Sequence, residues 1–378
     1  MKAHVRQFNF PTIIRFGKGA LEEIPDHLQT EKFIKPLIVV DTRTASLPFF
    51  SELISNLNAR GLHPEVFNLF ESVLTESTAK SGATHFRNTE CDCIVAAGSS
   101  AALSAGRAIA LFVHHENPIQ HYINEWDGEN KITQTIPHFI VIPLGSCGDE
   151  VARSIELRDE ITLEKSVIFS PRLMARVVFA DPSVTIECTD QRIREWKMEN
   201  YASLVESWFS RIDHPICNGI ALEGLITLIE SEYSVDAKSR SNEALLLTSL
   251  MAGISRQKGT GLLHAMVSAV SAYSGCSSGA ASAILINPVL KFSLGHNQEA
   301  ILRLGQRLCW REKTEEAILS KLIGWTEHLA LPERLSEIGI FAPDLDLITG
   351  MIWEDPVHTQ SPRAVTRSEI KSLLIQAL

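Results

Sequence analysis

In the first half of the chain, short β-branched runs alternate with stretches of helical periodicity. PLIVVD (36–41), HPEVFNLF (63–70), CDCIVAAG (91–98), HFIVIPLG (138–145) and ARVVFAD (175–181) are apolar along most of their length. Such runs predict strands buried on both faces. Between them, 47–60 and 101–115 repeat apolar residues at three- and four-residue spacing, which predicts amphipathic helices. The alternation predicts an α/β domain with a mostly parallel sheet wound in the nucleotide-binding manner. After DPSVT the strand signals vanish. From Asp190 onward the pattern is helical, punctuated at His214-Pro215, Asn287-Pro288, Leu331-Pro332 and Ala342-Pro343. Two domains follow, an α/β domain over 1–182 and an all-helical one over 183–378, as a chain of 378 residues is too long for one ordinary core.

Between Lys258 and Lys291 lie 32 residues without a formal charge. Six serines and four glycines keep every window of this run too polar for a bilayer core. It predicts two interior helices, 262–273 and 280–286, joined by the small-residue turn 274–279 and stopped at Pro288.

A net charge of −10 with no local cluster of Lys and Arg argues against a nucleic-acid surface. The N-terminus lacks the apolar core of a signal peptide, and seven scattered Cys form no disulfide framework, so the expected compartment is cytoplasmic, with no membrane partner. Cys91 and Cys93 are one residue apart, a spacing that suits neither zinc nor thioredoxin chemistry.

Ligands of such sheets bind at the carboxyl ends of the strands, which places Asp41, the Gly98 loop and the Pro143 loop together. A carboxylate ending a strand can accept both ribose hydroxyls of a dinucleotide and repel a 2′-phosphate. Equally, Asp41 can be a turn acid that ends its strand. Gly98, Ser99 and Ser100 open a helix whose N–H groups suit a pyrophosphate, although one glycine stands where close approach usually takes two or three.

FPTIIRFGKGALEEIP (10–25), LIVVD (37–41), CIVAAGSSAALSAGRAIAL (93–111), IPLGSCGDEV (142–151), EKSVIFSPRLMARVVFADPSVT (164–185), LALPERLSEIGI (329–340) and SPRAVTRSEIKSLLIQAL (361–378) occur in this order. With them the chain resembles the iron-containing alcohol dehydrogenases of the dehydroquinate synthase-like superfamily nearly end to end. The loop over 142–151 is similar in length to that of the maleylacetate reductase branch. The resemblance implies a dinucleotide cofactor contacted by Asp41, Gly98, Ser99, Ser100, Ser104, Leu144, Gly145 and Lys165, with Arg107 in the place of a family lysine. Ser104 stands where the family has Asp, and Leu144-Gly145 replaces a Thr pair. NAD(H) is expected over NADP(H).

The family also presents one Asp and three His to a divalent ion. In KMENYASLVESW (197–208), Glu199 stands in the place of the Asp and Ser203 in that of the first His. In GLLHAMVSAVSAYSGCSSG (261–279), His264 retains the second His and Ser278 replaces the third. Ser268 replaces a further His that lies near the reacting carbonyl in the family. Serine hydroxyls are poor substitutes for imidazole, so no tightly bound metal is expected. Cys276 matches no ligand position, and Glu206 is expected to make a structural hydrogen bond.

Three readings follow. One is a metal-independent NAD(P)H-linked reductase or dehydrogenase of a small carbonyl or alcohol, homodimeric, in which His264 or the serine cluster polarises substrate and moves the proton. Another is non-redox chemistry, as in a hydrolase or lyase with Glu199 orienting His264 toward Ser203, Ser268 or Ser278. The third is a catalytically silent homologue that binds a ligand or partner.

Overall fold

The computed structural model describes every residue except 1–7, 9, 70–73, 124–127, 146–147, 161–164, 186, 233–236 and 294, and the backbone alone at 237–240. The chain divides into two compact units, Asn9–Cys188 and Thr189–Leu378, the second joined by Phe8, whose ring lies 5.9 Å from that of His214.

The first unit is built on six parallel strands: β1 (Ile13–Phe16), β2 (Pro36–Asp41), β3 (Glu65–Leu69), β4 (Cys93–Gly98), β5 (His138–Pro143) and β8 (Val177–Ala180), in the spatial order β1-β8-β5-β4-β2-β3. β4 and β8 are buried throughout and β2 and β5 at all but one residue, as their unbroken apolar runs require. From β2 the chain passes through α2 (Thr42–Ala45) and α3 (Pro48–Ala59) to β3 on one side. From β4 it passes through α5 (Ser100–Phe112) to β5 on the other. The connections therefore diverge between β2 and β4, the place in an open parallel sheet where a ligand can enter. α1 (Ile24–Thr30), α4 (Glu76–Asn88) and the short α6 (Pro182–Thr185) are the other α-helices among the described residues of this unit.

The sequence pattern did not yield the antiparallel pair β6 (Ser154–Arg158) and β7 (Lys165–Phe169). Its two-residue alternation is brief, with only Ile155 and Leu157 buried along β6. The units divide beyond the expected 182/183 junction because two side chains hold α6 and its sequel to the sheet unit. Thr185 Oγ1 donates to the Leu144 carbonyl at 3.1 Å, and Glu187 accepts the Phe49 N–H at 3.0 Å.

The second unit consists of α7 (Asp190–Phe209), α8 (Pro215–Ser231), α9 (Ala237–Ser255), α10 (Leu262–Ser274), α11 (Ser278–Phe292), α12 (Gln298–Arg307), α13 (Glu315–Glu327), α14 (Leu345–Glu354) and α15 (Arg367–Gln376). Thr189, Thr314 and Thr366 cap α7, α13 and α15 through their hydroxyls, and Pro215 occupies the first turn of α8. The stop expected at Pro288 is corrected: α11 runs through it to Phe292. A proline inside a helix costs about 3 kcal/mol or more. Val289 and Leu290, just beyond it, are buried in the helical core, and that burial favours continuing the helix. Among the described residues, no helix is long and apolar enough to cross a membrane.

Candidate functional site

The sheet unit gathers its candidates at the carboxyl ends of β2 and β4. Asp41 ends β2 and caps α2, its Oδ1 accepting the Thr44 N–H at 2.9 Å. Oδ2 accepts the Thr44 hydroxyl at 2.9 Å, the Ser99 N–H at 3.1 Å and the Ser99 hydroxyl at 3.0 Å. The carboxylate thus ties the β2 turn to the loop after β4. Gly98 has φ +135°, and a Cβ there would lie 2.6 Å from Asp41 Oδ2, so only glycine fits beside that oxygen. With its hydroxyl on Asp41, Ser99 does not cap α5 through its side chain. This is an anion-accepting helix start beside a glycine turn, the arrangement a pyrophosphate uses. Ser100 begins α5 and half-buried Ser104 lies one turn on, along the same helix face.

Leu144 is buried, and its carbonyl accepts from Thr185, so this side chain offers packing in place of a hydroxyl. Gly145 follows at φ +126°. Arg107, 1% exposed, reaches the carbonyls of Asp149 and Ser154 and lies 5.8 Å from the Phe139 ring centroid. Its guanidinium pins the loop that follows β5, a role that residue type alone did not indicate. Lys165 opens β7 and pairs with Glu156 at 3.5 Å.

In the helical unit, Glu199, Ser203 and Glu206 share one face of α7, at four- and seven-residue spacing. His264, Ser268 and Ser271 form the less buried stripe of α10. Ser278 is the first residue of α11, whose cap is Ser277, accepting the Ala280 N–H at 3.2 Å. Gly279 presses against α7, where an added Cβ would lie 2.1 Å from the Glu195 carbonyl oxygen. α7, α10 and α11 therefore carry all four positions matched to the family's metal ligands.

Glu206 meets His264 at its backbone. Its Oε1 and Oε2 accept the His264 backbone N–H at 3.1 and 3.2 Å. Gly261, at the cap position of α10, has no side chain to offer, and Glu206 serves that helix start from α7. The structural hydrogen bond expected of Glu206 is present. Its partner lies 58 residues away, beyond the reach of sequence pattern. Burial raises the pKa of Glu206, opposed by the charge of His264 and by the N–H groups of His264, Leu263 and Gly261. The carboxylate also borders a largely apolar cavity of about 40 Å³ in this unit.

Carboxylate, hydroxyl, imidazole and hydroxyl make a poor donor set for iron or zinc. Ser203 is buried, and its Oγ has no hydrogen-bond partner among the described residues. No three His, Cys, Asp or Glu side chains among those residues gather to hold an ion. The residues at these four positions do not fit the family's metal.

Two family models match the chain: iron-containing alcohol dehydrogenase over residues 11–182, and the C-terminal region of the Fe-containing alcohol dehydrogenase family over 198–378. The 4-hydroxybutyrate dehydrogenase of Cupriavidus necator is 24% identical, covering 97% of this chain and 98% of that protein. The NAD-dependent methanol dehydrogenase of Bacillus methanolicus is 20% identical, covering 98% of this chain and 99% of that protein. Among solved structures, an alcohol dehydrogenase from Oenococcus oeni superposes with a TM-score of 0.91 at 19% identity, covering 99% of this chain and 100% of that one.

Proposed function

The chain belongs to the iron-containing alcohol dehydrogenase family, and we propose that it is an NAD(H)-linked reductase or dehydrogenase of a small carbonyl or alcohol that works without a tightly held metal. The observation that carries the redox reading is the Gly98 turn opening α5 beside Asp41 at the divergence of β2 and β4. Relatives named for alcohol substrates, one of them NAD-dependent, support the same class.

The nicotinamide cofactor, when bound, supplies or takes a hydride. The first-turn N–H groups of α5 would hold the pyrophosphate, and Gly98 makes room for the Asp41 carboxylate beside them. Asp41 keeps one lone-pair direction on Oδ1 for a ribose hydroxyl and repels a 2′-phosphate. Where the family relies on an ion, this chain has one imidazole, so His264 moves the proton at the carbonyl oxygen, with Ser268 one turn along the same helix. Glu199 and Ser203 on α7 and Ser278 on α11 hold no metal in this reading.

Hydrolysis through a Ser203 nucleophile has less support, because its Oγ makes no hydrogen bond to a base. The deciding experiment is a binding isotherm for NADH and NADPH on chelator-treated protein. Saturable NADH binding in the absence of metal supports the proposal. Binding of neither cofactor overturns it and favours a non-redox or silent homologue. Assembly as a homodimer belongs to the same reading, and a monomeric sedimentation coefficient would remove that part.

A further inference from the structure

The sheet unit holds a second cluster of chemistry far from the cofactor loop. His27, on α1, and His138, the first residue of β5, share a hydrogen bond between their Nε2 atoms at 3.2 Å, the donor set by the tautomer. They lie 111 residues apart in sequence, so only the packing of α1 brings them together. Aromatic neighbours fix both rings: Phe179 is edge-on to His27 at 5.6 Å and Phe33 is tilted against His138 at 4.9 Å. Both imidazoles are half-buried, leaving part of each ring open to water.

We propose that His27 and His138 form a two-histidine site for a zinc-class divalent ion, with water completing the coordination sphere. Two nitrogens each about 2.0–2.1 Å from a common ion and 3.2 Å apart subtend an angle of about 100–106° at it, close to tetrahedral. Imidazole suits zinc, copper and nickel, and a ligand nitrogen must be unprotonated. Burial, ahead of the neighbouring charges, lowers the pKa of both rings and favours neutral imidazoles, and an ion takes the place of the one proton their Nε2 atoms share, that proton moving to Nδ1. Glu31, which favours a cation, and Arg15 and Arg176, which oppose it, are all exposed, so water screens the three alike and the two imidazoles themselves carry the site. Among the described residues no third His, Cys, Asp or Glu completes the set, which is why the remaining ligands are water.

Position defines the ion's role. His138 stands at the amino end of β5, about 17 Å along the strand from Pro143, and ligands of these sheets bind at the carboxyl ends. An ion here takes no part in turnover. It clips α1 to the central sheet and stabilises the unit by preferential binding to the folded chain.

The test is calorimetric titration of the full, chelator-treated chain with zinc chloride, together with His27→Asn, His138→Asn and His264→Ala. The site requires one saturable zinc ion per chain and a higher Tm in zinc, both lost in each of the first two variants and both kept in His264→Ala. Zinc uptake unchanged in His27→Asn and His138→Asn overturns the proposal, as does no uptake by the wild type. Loss of uptake in His264→Ala instead places the ion on α10, which overturns both this site and the metal-independent reading. One equivalent of Cu²⁺ on the unmodified chain gives a check free of folding effects. Its electron paramagnetic resonance spectrum should show coupling to two imidazole nitrogens, and coupling to fewer refutes the pair.

Discussion

The carboxylate of Asp41 holds Ser99 by both its backbone N–H and its hydroxyl, through a single oxygen, Oδ2. Asp41 ends β2 and Ser99, 58 positions on, follows the last residue of β4, so the bond sets the distance between the β2 turn and the start of α5. Asp41 is at once a turn acid and the residue nearest the opening of the helix that would hold phosphate.

Replacing Asp41 removes acceptors from four donors, and losing a capping carboxylate costs about 1–2 kcal/mol. Asp41→Gly should lower Tm and reduce the preference for NADH over NADPH. Equilibrium fluorescence titration with the two cofactors checks the second effect. Equal or tighter NADPH binding by the wild type would refute the assigned specificity.

Ser203 presents a different case, since its hydroxyl is buried and unpaired. Removing an unsatisfied buried polar group relieves a penalty of about 1–3 kcal/mol, offset by the small cavity left behind. Ser203→Ala should therefore be neutral or stabilising in urea denaturation and leave turnover within a few-fold. Abolished turnover would identify Ser203 as a nucleophile and return the hydrolase reading.

His264 is the one imidazole on the stripe of α10, and its backbone N–H is already used by Glu206. His264→Gln should reduce kcat by about 100-fold, within the range for loss of a general acid, with cofactor affinity nearly unchanged. Steady-state kinetics on a carbonyl panel, beside NADH titration, separates the two effects. Full activity in this variant would move the chemistry elsewhere.

Purified protein should contain far less than one equivalent of iron or zinc at the α7–α10–α11 cluster, because only Glu199 and His264 there are conventional ligands. Elemental analysis after chelator dialysis, compared between wild type and His264→Ala, measures it. Stoichiometric metal lost in the variant would refute the claim.

Lys258 supplies a pH test of the helical unit. It is 4% exposed, its Nζ donates to Asn218 Oδ1 at 2.5 Å, and burial pulls its pKa from 10.5 down to about 8. Between those values the unfolded chain holds the proton and the folded one does not, so stability should rise with pH across that window, by roughly 3 kcal/mol in total. Denaturant midpoints at pH 7.5 and pH 10 should differ less in Lys258→Met than in the wild type. An equal difference in both would mean that Lys258 titrates normally.

Local pattern determined the parts of this protein whose physics is local. PLIVVD and CDCIVAAG are strands because unbroken β-branched runs belong in a two-sided sheet, and Asp41 and Gly98 end them as expected. The helices expected over 47–60 and 101–115 appear as Pro48–Ala59 and Ser100–Phe112. His264 lies on the helix expected over 262–273, whereas Ser278, expected in the turn over 274–279, opens α11 because Ser277 caps it. Contacts between distant residues were decided by packing. Pro288 stays inside α11 because burial of the residues around it outweighs a local penalty. Glu206 caps α10 from another helix, and Asp41 spends three of its four hydrogen bonds through one oxygen. The approach of His27 to His138 depends on α1 docking at the amino end of β5, and neither ring's sequence neighbours carry any trace of the other. Hydrophobic period specifies which face of an element is buried, whereas the partner that face meets is chosen only when the elements pack.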